Sequence, residues 1–221
     1  MAGIKQINRG VVEGFTSDRW LLKQIDSQLG NTQPPQRSDV FYPSLLGNTC
    51  DRYLYIAYNG MAPEQDITAQ TQRIFDNGGY LEERMDEYFT KLDIVDDREK
   101  VVKLDEPPIS GRVDFILRHG EYGQVALELK SINARGFGAL NKGPKPEHVV
   151  QLQIYLNLLP MDKGVILYEN KNDQQLKSFV LDKDILVWQG LLDRCYSIMR
   201  MTSAPEKCTG NKWCRCKGVD V

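Results

Sequence analysis

At 221 residues, with 41% hydrophobic and 26% charged side chains, the chain is long and apolar enough to bury one proper core, which excludes disorder on compositional grounds. A formal net charge of −2 supplies no bulk positive field, so any nucleic-acid partner has to be met by a local groove. No run approaches the ~20 apolar residues of a membrane span, and the opening MAGIKQINRGVVEGF lacks the apolar stretch of a secretory leader; a soluble, cytoplasmic protein with no membrane partner is expected.

Trp20, Leu21, Ile25 and Leu29 recur at helical spacing and predict an amphipathic helix within residues 1–29. The Pro- and Gly-containing stretch 30–39, GNTQPPQRSD, reads as a linker. A second helix is expected from about 44 to 58, stopped by Asn59-Gly60. Residues 67–92 predict a longer helix with Met85, Tyr88 and Phe89 on one side and a break or bend near Gly78-Gly79. From about 94 the period changes to alternation: KVVKL, GRVDFILR and QVALELKSI predict strands, with HGEYG (119–123) as a hairpin turn. A Gly- and Lys-rich loop (133–146) follows, then a helix over 148–159, two strands in GVILYEN and LKSFVL, and a last helix over roughly 183–201. This succession predicts an α/β or α+β fold around a central mixed sheet.

The hairpin carries the chemistry. Val113, Phe115 and Leu117 alternate onto one face of their strand, leaving Asp114 on the other. Val125, Leu127 and Leu129 do the same in the next strand, leaving Glu128 and Lys130. A turn centred on Glu121 sets Asp114 directly opposite Glu128, with Cβ atoms roughly 5 Å apart. Two carboxylates so placed destabilise a sheet unless a cation lies between them, and hard oxygen ligands suit Mg²⁺ or Mn²⁺. The plain alternative is a solvated polar face, since a D…ExK pattern is short and frequent.

The company this hairpin keeps narrows the choice. Upstream stands FDNGGYLEE, with Glu82 four residues after Gly78; downstream, HVVQLQIY places His148, Gln151 and Tyr155 on one helical face. YPSLLGNTCDR precedes both, with Cys50 near a helix start. From about residue 42 onward this ordered set resembles the PD-(D/E)XK nuclease superfamily, in its RecB-like iron–sulfur branch of CRISPR-adaptation-type and phage exonucleases. The resemblance implies a restriction-endonuclease-like α/β core with a helical N-terminal part: segment and linker 1–41, then one nuclease unit 42–221. It implies a Mg²⁺- or Mn²⁺-dependent deoxyribonuclease, an exonuclease acting on single-stranded DNA or DNA ends in recombination, repair, phage replication or CRISPR adaptation. Helicase, recombination or CRISPR-adaptation partner proteins fit that setting, in a bacterial, archaeal or phage-infected cell. By the same resemblance Glu82, Asp114, Glu128 and the Leu129 carbonyl are the metal ligands, with Glu83 as the alternative to Glu82. Lys130 then orients the attacking water beside Asp114 and Glu128, and Gln151 and Tyr155 position the DNA. His148 reads as a helix-start or surface residue, and a non-catalytic nucleic-acid-binding module is the competing function.

Five cysteines are present. Three crowd the C-terminal tail, and clustering of this kind points to metal before disulfides. The family's iron–sulfur site implies Cys50, Cys208, Cys214 and Cys216 as ligands of a 4Fe–4S cluster closing the unit's two ends. CTGNKWCRC departs from the usual spacing, so zinc, which also accepts four thiolates, stands as the alternative. Cys195 lies in a helical pattern and reads as a small core residue, with replacement of one of the four ligands as the alternative. Arg135, Lys142 and Lys145, with Phe137 between them, suit either phosphate contact and base stacking or a merely solvated loop.

Overall fold

The computed structural model describes residues 19–29, 38–62, 67–209 and 214–219. Helix α1 spans Trp20–Leu29; the rest of the expected first helix, and most of the expected linker, lie outside the described residues. The single helix expected over 44–58 is two, α2 (Pro43–Leu46) and α3 (Asp51–Tyr58). Proline opens α2, and Cys50 caps α3, its Sγ accepting the Tyr53 N–H at 3.4 Å. Helix α4 (Ala69–Lys91) runs through Gly78 and Gly79 without the expected break. Each glycine costs a helix about 1 kcal/mol, and 23 residues of helix with Leu81 and Met85 buried outweigh that.

Five strands form one sheet in the order β1 (Val95–Leu104), β2 (Ile109–His119), β3 (Gly123–Ile132), β4 (Lys163–Asn170) and β5 (Leu176–Asp182). The β3–β4 pair is parallel and the other three pairs are antiparallel. A parallel neighbour needs a crossover, which α6 (Pro146–Leu158) supplies. The stretch before it is not an open loop: Asn133 accepts the Gly136 N–H at 2.8 Å and caps α5 (Ala134–Ala139), which runs into a 3-10 turn, Leu140–Lys142. Phe137 is buried there in the core, where no base can stack on it. Helix α7 (Ile185–Arg200) closes the order.

The sheet is covered on both faces. On one, Leu81 and Met85 of α4 pack on Phe115, Leu117, Val125, Leu127 and Leu129. On the other, Leu152, Tyr155 and Leu156 of α6 pack on Val113, Ile116, Ala126, Ile166 and Tyr168. Each such apolar side chain contributes about 1.5–3 kcal/mol by leaving water. The α7 residues Trp188, Leu191, Cys195 and Ile198 form a second layer with Ile154 of α6 and Leu54 and Tyr55 of α3. Cys195 is thus an ordinary core residue.

Two glycines let α6 sit this close. A Cβ on Gly164 would stand 2.8 Å from Leu152 Cδ1, and one on Gly111 would stand 2.6 Å from Pro43 Cγ and 3.1 Å from Tyr155 Cε1. Gln153 pins the helix laterally, donating to the Asp182 carbonyl at 2.7 Å and accepting the Asp184 N–H at 2.8 Å.

One expectation about faces is corrected. Val113 belongs to the α6 side, whereas Phe115 and Leu117 belong to the α4 side. The β1–β2 register, Arg98 on Phe115 and Lys100 on Val113, sets Glu99 across from Asp114, and Glu99 has φ 52°. A non-glycine residue in that region kinks its strand at a cost of about 1–2 kcal/mol, and the simple alternation of β2 is lost there.

Candidate active site

The β2–β3 ladder runs from His119–Gly123 to Phe115–Leu127, the register of a turn centred on Glu121. One residue further, that register sets Asp114 against Glu128, and the ladder ends. Asp114 Oδ2 takes the Leu129 N–H at 2.7 Å in place of a backbone carbonyl. With Glu99 kinked on its other side, Asp114 stands where β2 is loosened from both neighbours.

Glu128 is the most confined of these groups, its side chain 1% exposed. Its Oε1 is paired with the Lys130 ammonium, while Oε2 is buried without a hydrogen-bond partner. Burial pushes the Glu128 carboxyl up to about 8; Asp114 adds to the shift and Lys130 offsets part of it. Asp114 is also raised, first by burial, against the Leu129 N–H and Lys130. Glu82, half-buried on α4, is raised by burial and then by Asp114. Glu83 beside it is exposed. Three carboxyls held above their ordinary range by burial and by one another form a site short of positive charge. An orphaned, buried oxygen in the middle of it is the donor a hard divalent cation takes.

One set of contacts holds α4 over this site, and another is made within α6. Two residues beyond Glu82, Arg84 is paired with the buried Glu169 at the end of β4 and donates to Gln174 Oε1 at 3.2 Å, fixing α4 on the sheet. On α6, Gln151 and Tyr155 are both buried, and the Gln151 amide donates to the Tyr155 hydroxyl at 3.0 Å. Burial, then the charge of Glu128, raises the Tyr155 phenol well above its ordinary value, so it stays protonated. A cavity of about 430 Å³ between Asp193, Tyr196, Ser197, Arg200 and Met201 contains none of these groups.

Sequence reasoning missed the surroundings of two residues. His148 is half-buried, not a surface group, and its Nδ1 lies 2.9 Å from the hydroxyl of Tyr168. That contact joins residues 20 apart in sequence, and only the Lys130–Tyr168 pairing across β3 and β4 brings it to the site. Gly111 had a readable signal, a glycine inside an otherwise β-branched and aromatic strand, where it marks close backbone approach.

The second constellation is metal-ready. Cys50, Cys208, Cys214 and Cys216 bring their sulfurs within 4.8 Å of one another. Among the described residues this is the one group of three or more Cys, His, Asp or Glu close enough to hold an ion as it stands; Glu82, Asp114 and Glu128 have to draw together to do so. Burial pushes the Cys50 thiol up to about 12. Burial acts the same way on Cys216, but hydrogen bonds from Cys208 and from its fellow thiols outweigh it and bring that thiol down to about 7. Arg52 reinforces the junction, donating to the carbonyls of Pro205 at 2.6 Å and Val219 at 3.1 Å. No helix among the described residues is long and apolar enough to cross a membrane.

No family model and no curated protein sequence matches the chain. Solved structures do share its fold. The crystal structure of SSO0001 is 18% identical, with a TM-score of 0.53 over 84% of this chain and 85% of that one. The alkaline exonuclease LHK-Exo from Laribacter hongkongensis is 15% identical, with a TM-score of 0.54 over 80% of this chain and 90% of its own. The same exonuclease in complex with dAMP gives 13% identity and a TM-score of 0.52 over the same shares. The chain therefore has an α/β fold also found in an exonuclease: a mixed five-stranded sheet between helices, to which a four-cysteine group is joined.

Proposed function

We propose that the chain is a metal-dependent nuclease that hydrolyses phosphodiester bonds in DNA, acting on single strands or ends. The observation that carries this reading is the orphaned Oε2 of Glu128, buried among carboxyls whose proton affinity is already raised. Asp114 and Glu128, with Glu82 and the Leu129 carbonyl, would hold Mg²⁺ or Mn²⁺. Such an ion, when bound, supplies a water of lowered pKa and compensates charge on the phosphate. Lys130 cannot ligate a cation, because an ammonium has no lone pair. Its place beside Glu128 suits donation to the attacking water and to the scissile phosphate, where charge grows during reaction. Gln151 and Tyr155, presented together on α6, suit the orientation of the DNA. That the fold occurs in an exonuclease agrees with the reading.

For the cysteine quartet we propose a bound metal that ties α3 to the tail. Four thiolates suit a 4Fe–4S cluster or a single zinc ion. A tetrahedron of thiolates around one zinc, with bonds of about 2.3 Å, has sulfurs ~3.8 Å apart. The observed spread of up to 4.8 Å lies near that, whereas thiolates on four separate irons stand wider and require the cysteines to open outward.

The test is anaerobically purified protein incubated with end-labelled linear and circular single-stranded DNA, in Mn²⁺ or in EDTA. Cleavage of the linear substrate in Mn²⁺ alone is expected. Cleavage in EDTA would refute the metal site, cleavage of the circle would refute the need for an end, and binding without any cleavage would leave a non-catalytic nucleic-acid-binding module.

A further inference from the structure

The hydroxyl oxygen of Tyr168 accepts the Lys145 backbone N–H at 3.1 Å and lies 2.9 Å from His148 Nδ1. Tyr168 is fully buried, 0% exposed, and among the described residues its O–H proton has no other acceptor. An O–H buried without an acceptor is costly, so the proton points at Nδ1. A neutral imidazole that accepts at Nδ1 carries its own proton at Nε2. The inner edge of the ring is thereby tied down, and Nε2, on the opposite edge of a half-buried ring, is a donor with no partner among the described residues and is not one of their unpartnered buried polar atoms. Burial, then Lys130 and Lys145, hold the ring far below its ordinary value, at about 3, so it stays neutral. The place is set by topology: Tyr168 is the cross-strand partner of Lys130, and His148 shares its helix face with Gln151 and Tyr155.

We propose that His148 contacts the DNA through its Nε2–H, as a neutral hydrogen-bond donor to a backbone phosphate oxygen beside Lys130, with Tyr168 as the residue that fixes its tautomer. Donation without charge suits this position, because the site has to admit a divalent cation as well as a phosphate. The inference deepens the nuclease reading and rests on it.

The test reads binding apart from chemistry. Fluorescence anisotropy of a labelled single-stranded oligonucleotide is measured in EDTA and in Ca²⁺, alongside Mn²⁺ calorimetry and single-turnover cleavage. His148→Ala should weaken oligonucleotide binding about 10- to 100-fold, the worth of one hydrogen bond to a charged group, with Mn²⁺ affinity unchanged. His148→Gln, whose amide nitrogen reaches the Nε2 position, should recover most of the loss, and His148→Asn, whose amide stops at the Nδ1 position, should not. Tyr168→Phe should show a smaller loss of the same kind. Normal DNA binding by His148→Ala, equal damage from Gln and Ala, or parallel loss of Mn²⁺ binding would each overturn the proposal. Failure of the nuclease reading has a different signature: wild-type protein that binds the oligonucleotide yet never cleaves it in Mn²⁺.

Discussion

Replacing Glu128 with glutamine should separate stability from function, with the sign reversed by metal. In the folded protein the Glu128 carboxyl sits at about 8 against an ordinary 4.5. A raised folded pKa means that the native state holds the proton more tightly than the unfolded chain. The associated stability is fully present below about pH 4.5 and is lost as the pH rises toward 8. At pH 7 the ordinary carboxyl is ionised across some 2.5 pH units, and at 1.36 kcal/mol per unit its ionisation costs the metal-free fold about 3 kcal/mol. Glutamine removes that cost but deprives Lys130 of its partner. The ammonium, on a side chain 25% exposed, turns toward water and Asp114. The net gain for Glu128→Gln in EDTA at pH 7 should be roughly 1–3 kcal/mol, or about 2–12 °C in melting temperature for a chain of this size. Thermal unfolding in EDTA between pH 5 and 8 should show a small gap at pH 5 that widens upward. In saturating Mn²⁺ the order should reverse, because ligand binding to the native state stabilises only the protein that keeps the ligand. A variant less stable than wild type throughout, by a margin that does not change with pH, would refute the claim that this carboxylate is held against its own electrostatics.

Three further outcomes are expected. Lys130→Met should lower the cleavage rate about 10²–10³-fold, the worth of one electrostatic contact made in the transition state, with Mn²⁺ and DNA binding retained by calorimetry and anisotropy. Glu82→Ala should weaken Mn²⁺ binding, while Glu83→Ala, at an exposed position, should leave it near wild type; the reverse ranking would mean α4 is phased differently against the sheet. Anaerobically purified protein should carry a metal at the quartet, read by elemental analysis and by absorbance near 400 nm. Cys208→Ser should lose that metal and melt at lower temperature, and a metal-free wild type of undiminished stability would refute the tether.

What could be read from the amino acids follows from how local each signal is. A short Gly-bounded turn between alternating runs determines its own register, so Asp114 opposite Glu128 was legible from the turn alone. The quartet was legible as a count and a clustering. Placement that depends on distant packing was not. The split between α2 and α3 depends on a turn that lies under α6, where a Cβ on Gly47 would stand 2.6 Å from the Glu147 carbonyl. The continuity of α4 depends on the sheet beneath Leu81 and Met85. Val113 leaves the face of Phe115 because of a kink at Glu99, on another strand. His148 does stand at a helix start, but its burial could not be read there because its partner, Tyr168, lies on β4.

The junction of α3 with the tail has a consequence for how the molecule is completed. Arg52 grips carbonyls at 205 and 219, and Cys50 waits for sulfurs at 208, 214 and 216. Every residue of the β2–β3 hairpin lies between these ends, so the clasp can close only after the hairpin has been synthesised and has left the ribosome. A chain that stops before Cys208 lacks three of the four cysteines, so with the proposed metal its content would measure translation through Cys216. Once closed, the clasp works in the other direction. With the proposed metal bound, a protease cut in the β1–β2 connection would leave two pieces still joined through the quartet, and a chelator that strips it would remove that link.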